Sequence, residues 1–172
     1  MKKHIYSSVI AIALGTSTAA YADDSSFKVA IIKDAAGSSE IIQGNFKKSL
    51  NKMTQTPSTL IEKFEQAMGL CVANIKLSQL DAAETNCSTA VEVSLTLKSS
   101  DSNRNKYTAL AYNNRAISRA LSADTLGALD DFTSAVLINQ SKLVNNNLSH
   151  FKKQYVATLT ASATGNTSHI TH

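Results

Sequence analysis

Tryptophan is absent from this 172-residue chain, proline occurs once, at Pro57, and aromatic residues make up only 6% of it. A core with so few rings must be filled by alanine and aliphatic side chains, which suits closely packed helices. A single proline leaves long stretches free of the residue that most disrupts a helix interior. Chemistry-bearing patterns are also missing: there is no glycine-rich phosphate loop, no G-x-S-x-G elbow and no C-x-x-C pair. Charge is close to balanced, with 17 Lys and Arg against 13 Asp and Glu. Nucleic-acid binders concentrate basic residues on one face. Here the nearest approach is Lys47-Lys48 with Lys52, and Lys152-Lys153, which read as solvated helix faces. Nucleic acid is therefore not an expected partner.

Acidic residues are lacking before Asp23, and that absence has a partner in what is present. Lys2, Lys3 and His4 make a basic start. An apolar run including Val9-Ile10-Ala11-Ile12-Ala13-Leu14 follows, and small residues lead to Ala20-Tyr21-Ala22. Basic head, short apolar segment and A-x-A exit are the parts of a secretory signal peptide. The apolar run is far shorter than the ~20 residues of a membrane span. Residues 1–22 are expected to be removed after Ala22, giving a periplasmic or secreted product with no membrane span. No cysteine stands at the cleavage region, so a lipid anchor is not expected.

Four regions follow: a signal at 1–22, an N-terminal arm at 23–39, a helical domain at 40–158 and a disordered tail at 159–172. Lys28-Val-Ala-Ile-Ile-Lys-Asp34 is the one strand-like run. Without a partner strand it reads as an extended arm packed on helices. From Glu40 apolar residues recur every three or four positions, the period of an amphipathic helix. The series runs through Ile41, Phe46, Leu50 and Met53, then Leu60, Phe64, Ala67, Met68, Cys71, Val72 and Ile75. It resumes with Leu80, Ala83, Cys87, Ala90 and Val91, and again with Leu110, Ile117 and Leu121. Leu126, Leu129, Phe132, Ala135 and Val136 mark the sixth segment, and Leu143, Val144, Leu148 and Phe151 a capping helix. Breaks are expected at Gly44-Asn45, Ser78-Gln79 and Ser122-Ala123-Asp124. Thr56, Asp101 and Ser141 are expected N-caps, with Pro57 in a first turn.

The stretch Ala111-Tyr-Asn-Asn-Arg-Ala-Ile-Ser-Arg-Ala-Leu-Ser-Ala-Asp-Thr-Leu-Gly-Ala-Leu-Asp-Asp-Phe-Thr-Ser-Ala-Val-Leu-Ile-Asn139 resembles a tetratricopeptide repeat. Tyr112 takes the first aromatic position, Ala116 the helix crossing, Asp124 the turn, and Ala128, Phe132 and Ala135 the small–large–small face. Small residues let two helices approach, and the phenylalanine fills the space between them. Arg119 departs from the family's aromatic, Ala123 from its turn glycine and Gln140 from its exit proline. Shifting the pattern so that Ala90 matches Ala135 puts Cys71 at Ala116, Ala83 at Ala128 and Cys87 at Phe132. Residues 41–53 are similar to a degenerate first unit. The chain as a whole resembles small exported proteobacterial proteins of this type, which carry no assigned activity. The implied fold is all-α: antiparallel helical hairpins stacked as a short TPR-like array.

An exported chain with two cysteines invites a disulfide. Cys71 and Cys87 lie equally far from the turn at Gln79, and both fall on the inward stripe, so an antiparallel hairpin sets them face to face. The bridge would stabilise the fold by roughly 3 kcal/mol. The alternative is two buried free thiols acting as small apolar residues.

Among the four histidines only His150 lies in the helical domain, and a lone histidine makes no metal site. Glu62 with Glu65, and Asp130 with Asp131, have no partner base or nucleophile. No enzyme activity, metal or cofactor is expected. The resemblance instead implies a partner-binding groove lined by the first helix of each pair. Carried over, it comprises Asn113, Asn114 and Ile117, with Glu65, Met68 and Val72 in the preceding unit. Asn114 stands where the family often holds a peptide backbone; the alternative is that Asn113 and Asn114 are ordinary polar helix residues. The expected function is an envelope protein-interaction module, with a self-associating structural protein as the rival.

Overall fold

The computed structural model describes residues 26–98 and 103–165, with side chains in its last helix described through Thr158. The expected signal peptide and its cleavage site, arm residues 23–25, the Asp101 cap and the tail past Gly165 lie outside the described residues. Seven helices follow in order: α1 (Ser38–Ile42), α2 (Phe46–Lys52), α3 (Leu60–Lys76), α4 (Leu80–Thr96), α5 (Arg104–Leu121), α6 (Thr125–Ile138) and α7 (Lys142–Gly165). The last continues beyond Thr158, the boundary drawn from sequence. No strand occurs among the described residues.

Local chemistry sets where the helices start. α3 begins at Leu60 with Thr59 as its cap, not at Pro57 behind Thr56. The reason is Glu62. The Thr59 hydroxyl accepts from the Glu62 N–H at 3.2 Å. The Glu62 carboxylate accepts from the N–H groups of Ser58 at 2.8 Å and Thr59 at 3.3 Å. This reciprocal capping box is closed to Thr56, whose third residue on is another threonine. These hydrogen bonds, with the Ser58 hydroxyl first among them, hold the Glu62 carboxyl below its ordinary range. Asp124 caps α6 by accepting from the Gly127 N–H at 3.0 Å. Ser141 stands before α7 and accepts a longer bond from the Val144 N–H, at 3.5 Å.

Consecutive helices pack on one another: α3 on α4, α4 on α5, α5 on α6 and α6 on α7. α5 also touches α3 and α7, so these three share one side of the molecule. The first pair, α3 and α4, and the second, α5 and α6, repeat with an offset of 45 residues. Cys71, Ala83, Cys87 and Ala90 in the first, and Ala116, Ala128, Phe132 and Ala135 in the second, are all 0% exposed. Cys71 and Cys87 are disulfide-bonded, with Cα atoms 4.8 Å apart.

The two turns share their closing bond. Gln79 N–H donates to the Asn74 carbonyl at 2.9 Å, and Asp124 N–H to the Arg119 carbonyl at 2.9 Å. Ser78 and Ala123 both adopt left-handed backbone, with φ of 56° and 62°. Ala123 therefore holds a backbone conformation that favours glycine.

An ion cluster joins α4, α5 and α6. Asp131, buried on α6, accepts two bonds from Arg115 at 2.8 Å each and faces the Arg119 Nη1 at 3.0 Å. Arg119 also donates to Glu84 of α4 at 3.0 Å. Burial opposes the charge on Arg115, but the hydrogen bonds and attraction of Asp131 outweigh it and raise its pKa. Arg119 thus bridges α4 and α6 through Glu84 and Asp131. Lys52 and Lys48, read from sequence as a solvated basic patch, lie 2.6 Å and 4.0 Å from the buried Glu40 carboxylate.

Candidate functional site

The side of the molecule shared by α3, α5 and α7 carries residues of the N-terminal arm. Exposure alternates over residues 26–29, with Ser26 and Lys28 exposed and Phe27 and Val29 half-buried, and the alternation ends at the buried Ala30. That period of two is the mark of an extended chain. In such a chain the N–H and C=O of residues i and i+2 point to the same side, and those of i+1 to the other. Lys28 and Ala30 turn theirs towards the helices, where no strand waits to pair with them.

Two asparagines take the place of that strand. Asn114 of α5 accepts from the Ala30 N–H through Oδ1 at 2.7 Å and donates from Nδ2 to the Ala30 carbonyl at 2.8 Å. Asn147 of α7 repeats this at Lys28, accepting from its N–H at 3.0 Å and donating to its carbonyl at 2.8 Å. A carboxamide carries one acceptor and one donor side by side, the same pair a peptide unit offers, so it can serve both groups of one residue. The two are tied together through Asn113. Asn147 Nδ2 donates to Asn113 Oδ1 at 2.7 Å, and Asn113 Nδ2 to Asn114 Oδ1 at 3.3 Å. All three are buried, where a carboxamide persists only if its hydrogen bonds are made.

The arm's side chains enter separate sockets. Phe27 stacks on Phe132, with centroids 5.5 Å apart, and meets the His150 ring edge-on at 4.8 Å. Ala30 sits among Phe64, Met68 and Ala111, and Ile32 packs on the same cluster. Val29 packs on the cluster of Ile75, Ile117 and Phe132. It also borders an open cleft of about 440 Å³, lined besides by Ala120 and Leu121. A second cleft of about 430 Å³ is lined by Lys28, Asn147, His150 and Lys153. His150 Nε2 is shielded from solvent and has no hydrogen-bond partner.

Of the residues singled out from sequence, Asn113, Asn114, Ile117 and Met68 come together around the arm, and Val72 is fully buried on α3. Glu65 lies apart. It lines a separate recess with Asp34, Lys52, Met53 and Gln66. Burial, reinforced by the charge of Glu62, raises its carboxyl above the ordinary range. Sequence reasoning missed Asn147. Its signal was the run Asn145-Asn146-Asn147 inside a helix, where asparagine is a poor former and a run needs a reason.

Among the described residues no three His, Cys, Asp or Glu side chains converge as a metal site requires, and no helix is long and apolar enough to cross a membrane. Comparison with protein-family models, with curated proteins and with solved structures gave no match.

Proposed function

We propose that this protein is an exported interaction module, built as a short TPR-like array of helical pairs, whose α3–α5–α7 face receives an extended polypeptide segment. The observation that carries the reading is the paired hydrogen bonding of Asn114 to both main-chain groups of Ala30. Recognition of that kind is independent of side chains, so it suits any segment that can lie extended. Recurrence of the grip two residues away, by Asn147 on Lys28, makes the face a track and not a single contact. The 45-residue repeat of core positions and turns supports the array. Export is supported by the Cys71–Cys87 disulfide, a bond that persists in oxidising compartments.

The test is a display selection of unrelated random peptides on the immobilised full chain. Selected peptides should compete with one another for one site. They should lose at least tenfold in affinity on the Asn114→Ala chain, provided its circular dichroism stays helical. Peptides that bind both chains equally would remove the groove assignment.

A further inference from the structure

The face is filled by the chain's own arm, and the fit is uneven. At Ala30 the socket is complete: the residue is 3% exposed among Phe64, Met68 and Ala111, and a larger side chain would have to push them aside. At Phe27 the side chain lies against two rings, Phe132 and His150, and its remaining surface borders the same cleft as Val29. At Val29 the socket is not filled. The side chain borders the 440 Å³ cleft, where Ile75, Ile117, Ala120 and Leu121 supply apolar wall and Lys76, His150 and Gln154 a polar rim. His150 borders that cleft too, with its Nε2 shielded from solvent and without a hydrogen-bond partner.

We propose that the arm is a resident occupant, and that the partner is an extended segment patterned aromatic–x–large aliphatic–alanine–x–aliphatic, larger than valine where the arm carries Val29. This rests on the reading of the face as a segment-binding track and adds the side-chain selection that the main-chain grip cannot supply. The selection must be substantial. A tethered arm competes at an effective concentration in the millimolar range. A free segment identical to the arm therefore fails at micromolar concentration. One that fills the cleft gains about fourfold per methylene buried. One with leucine at the Ala30 position loses at least tenfold through overpacking.

Fluorescein-labelled synthetic peptides spanning residues 24–34 supply the probes: the arm sequence, its Val29→Leu form and its Ala30→Leu form. Anisotropy is read on the wild-type full chain and on the full chain carrying Ala30→Leu, whose own arm cannot seat. A Val29→Ser chain serves if that variant loses its helical spectrum. The arm peptide should bind the open chain at least tenfold more tightly than wild type. The Val29→Leu peptide should bind about fourfold more tightly again, and the Ala30→Leu peptide should not bind.

Equal binding of the valine and leucine peptides, both lost on Asn114→Ala, overturns the selection and leaves the track in place. Failure of the whole series on a chain that still binds display-selected peptides overturns this inference alone. Failure of both sets overturns the track as well. If no peptide binds and the wild-type chain sediments as a concentration-dependent dimer with its arms crosslinked to the neighbour, the occupant is a second copy and the proposal falls.

Discussion

The two helical pairs α3–α4 and α5–α6 meet the same packing problem with different chemistry at one position. Both use small residues where the helices cross: Cys71, Ala83 and Ala90 in the first, Ala116, Ala128 and Ala135 in the second. Opposite the crossing the second pair inserts Phe132, whereas the first has Cys87 bonded to Cys71. A phenyl ring fills space and also reaches outward; Phe132 stacks on Phe27 of the arm and packs against Phe151 of α7 at 5.4 Å. The disulfide closes the space without projecting a ring, although it packs in the same core cluster as Phe132. The first pair can be covalently stapled because it has no need of a ring at its centre. The second needs one, because the arm and the last helix dock on it.

Breaking each solution tests that contrast. Phe132→Ala should destabilise the fold by about 3–5 kcal/mol, the usual cost of deleting a buried ring. It should also free the arm, seen as new protease cleavage before Asp34 under conditions where the wild type is resistant. The double replacement Cys71→Ala with Cys87→Ala should cost less, about 3 kcal/mol, and leave arm protection unchanged. Chemical denaturation with limited proteolysis checks both. Arm release in the cysteine double variant would show that the first pair is coupled to the arm after all.

A finer difference lies at the left-handed turn residues. Ser78 and Ala123 each hold a positive φ that costs a side-chain-bearing residue ~1 kcal/mol or more. Ser78→Gly and Ala123→Gly should each raise stability by about 0.5–1 kcal/mol once the added freedom of unfolded glycine is subtracted. If the pairs are equivalent at their turns, thermal melts will show two gains of similar size. A gain at one and a loss at the other would end that equivalence.

Legibility followed the range of the interaction. Apolar periodicity, the alanine and phenylalanine core and the disulfide were readable because each depends on spacing along one helix or across one short turn. The cap of α3 was misplaced by three residues because two threonines precede it, and only Glu62 decides between them. The ion cluster was not readable: Asp131 finds Arg115 on the preceding helix, a pairing that spacing alone does not specify. The arm was legible as an extended, packed segment, whereas for Asn114 a backbone-holding role stood level with that of an ordinary polar helix residue. That the held backbone is the chain's own requires Lys28 to meet Asn147, which is 119 residues away. No local pattern encodes that distance.

The smallest expected effect comes from grafting the cap of one turn onto the other. Asp124 closes the second turn by accepting from Gly127, while Gln79, its counterpart, makes no side-chain cap. Asp124→Ala should therefore cost about 1 kcal/mol. The reverse graft is more instructive. Gln79→Asp alone should gain almost nothing. In the second pair a Cβ at Gly127 would run into the Asp124 carboxylate, and the matching residue in the first pair is Ala82, which has that Cβ. Combining Gln79→Asp with Ala82→Gly restores the geometry but adds a helix-interior glycine costing roughly 0.5–1 kcal/mol. The net gain should be only a few tenths of a kcal/mol. A full-sized gain from Gln79→Asp alone would mean that the aspartate reaches the helix by a route Ala82 does not block, and that the glycine at 127 answers some need other than the cap.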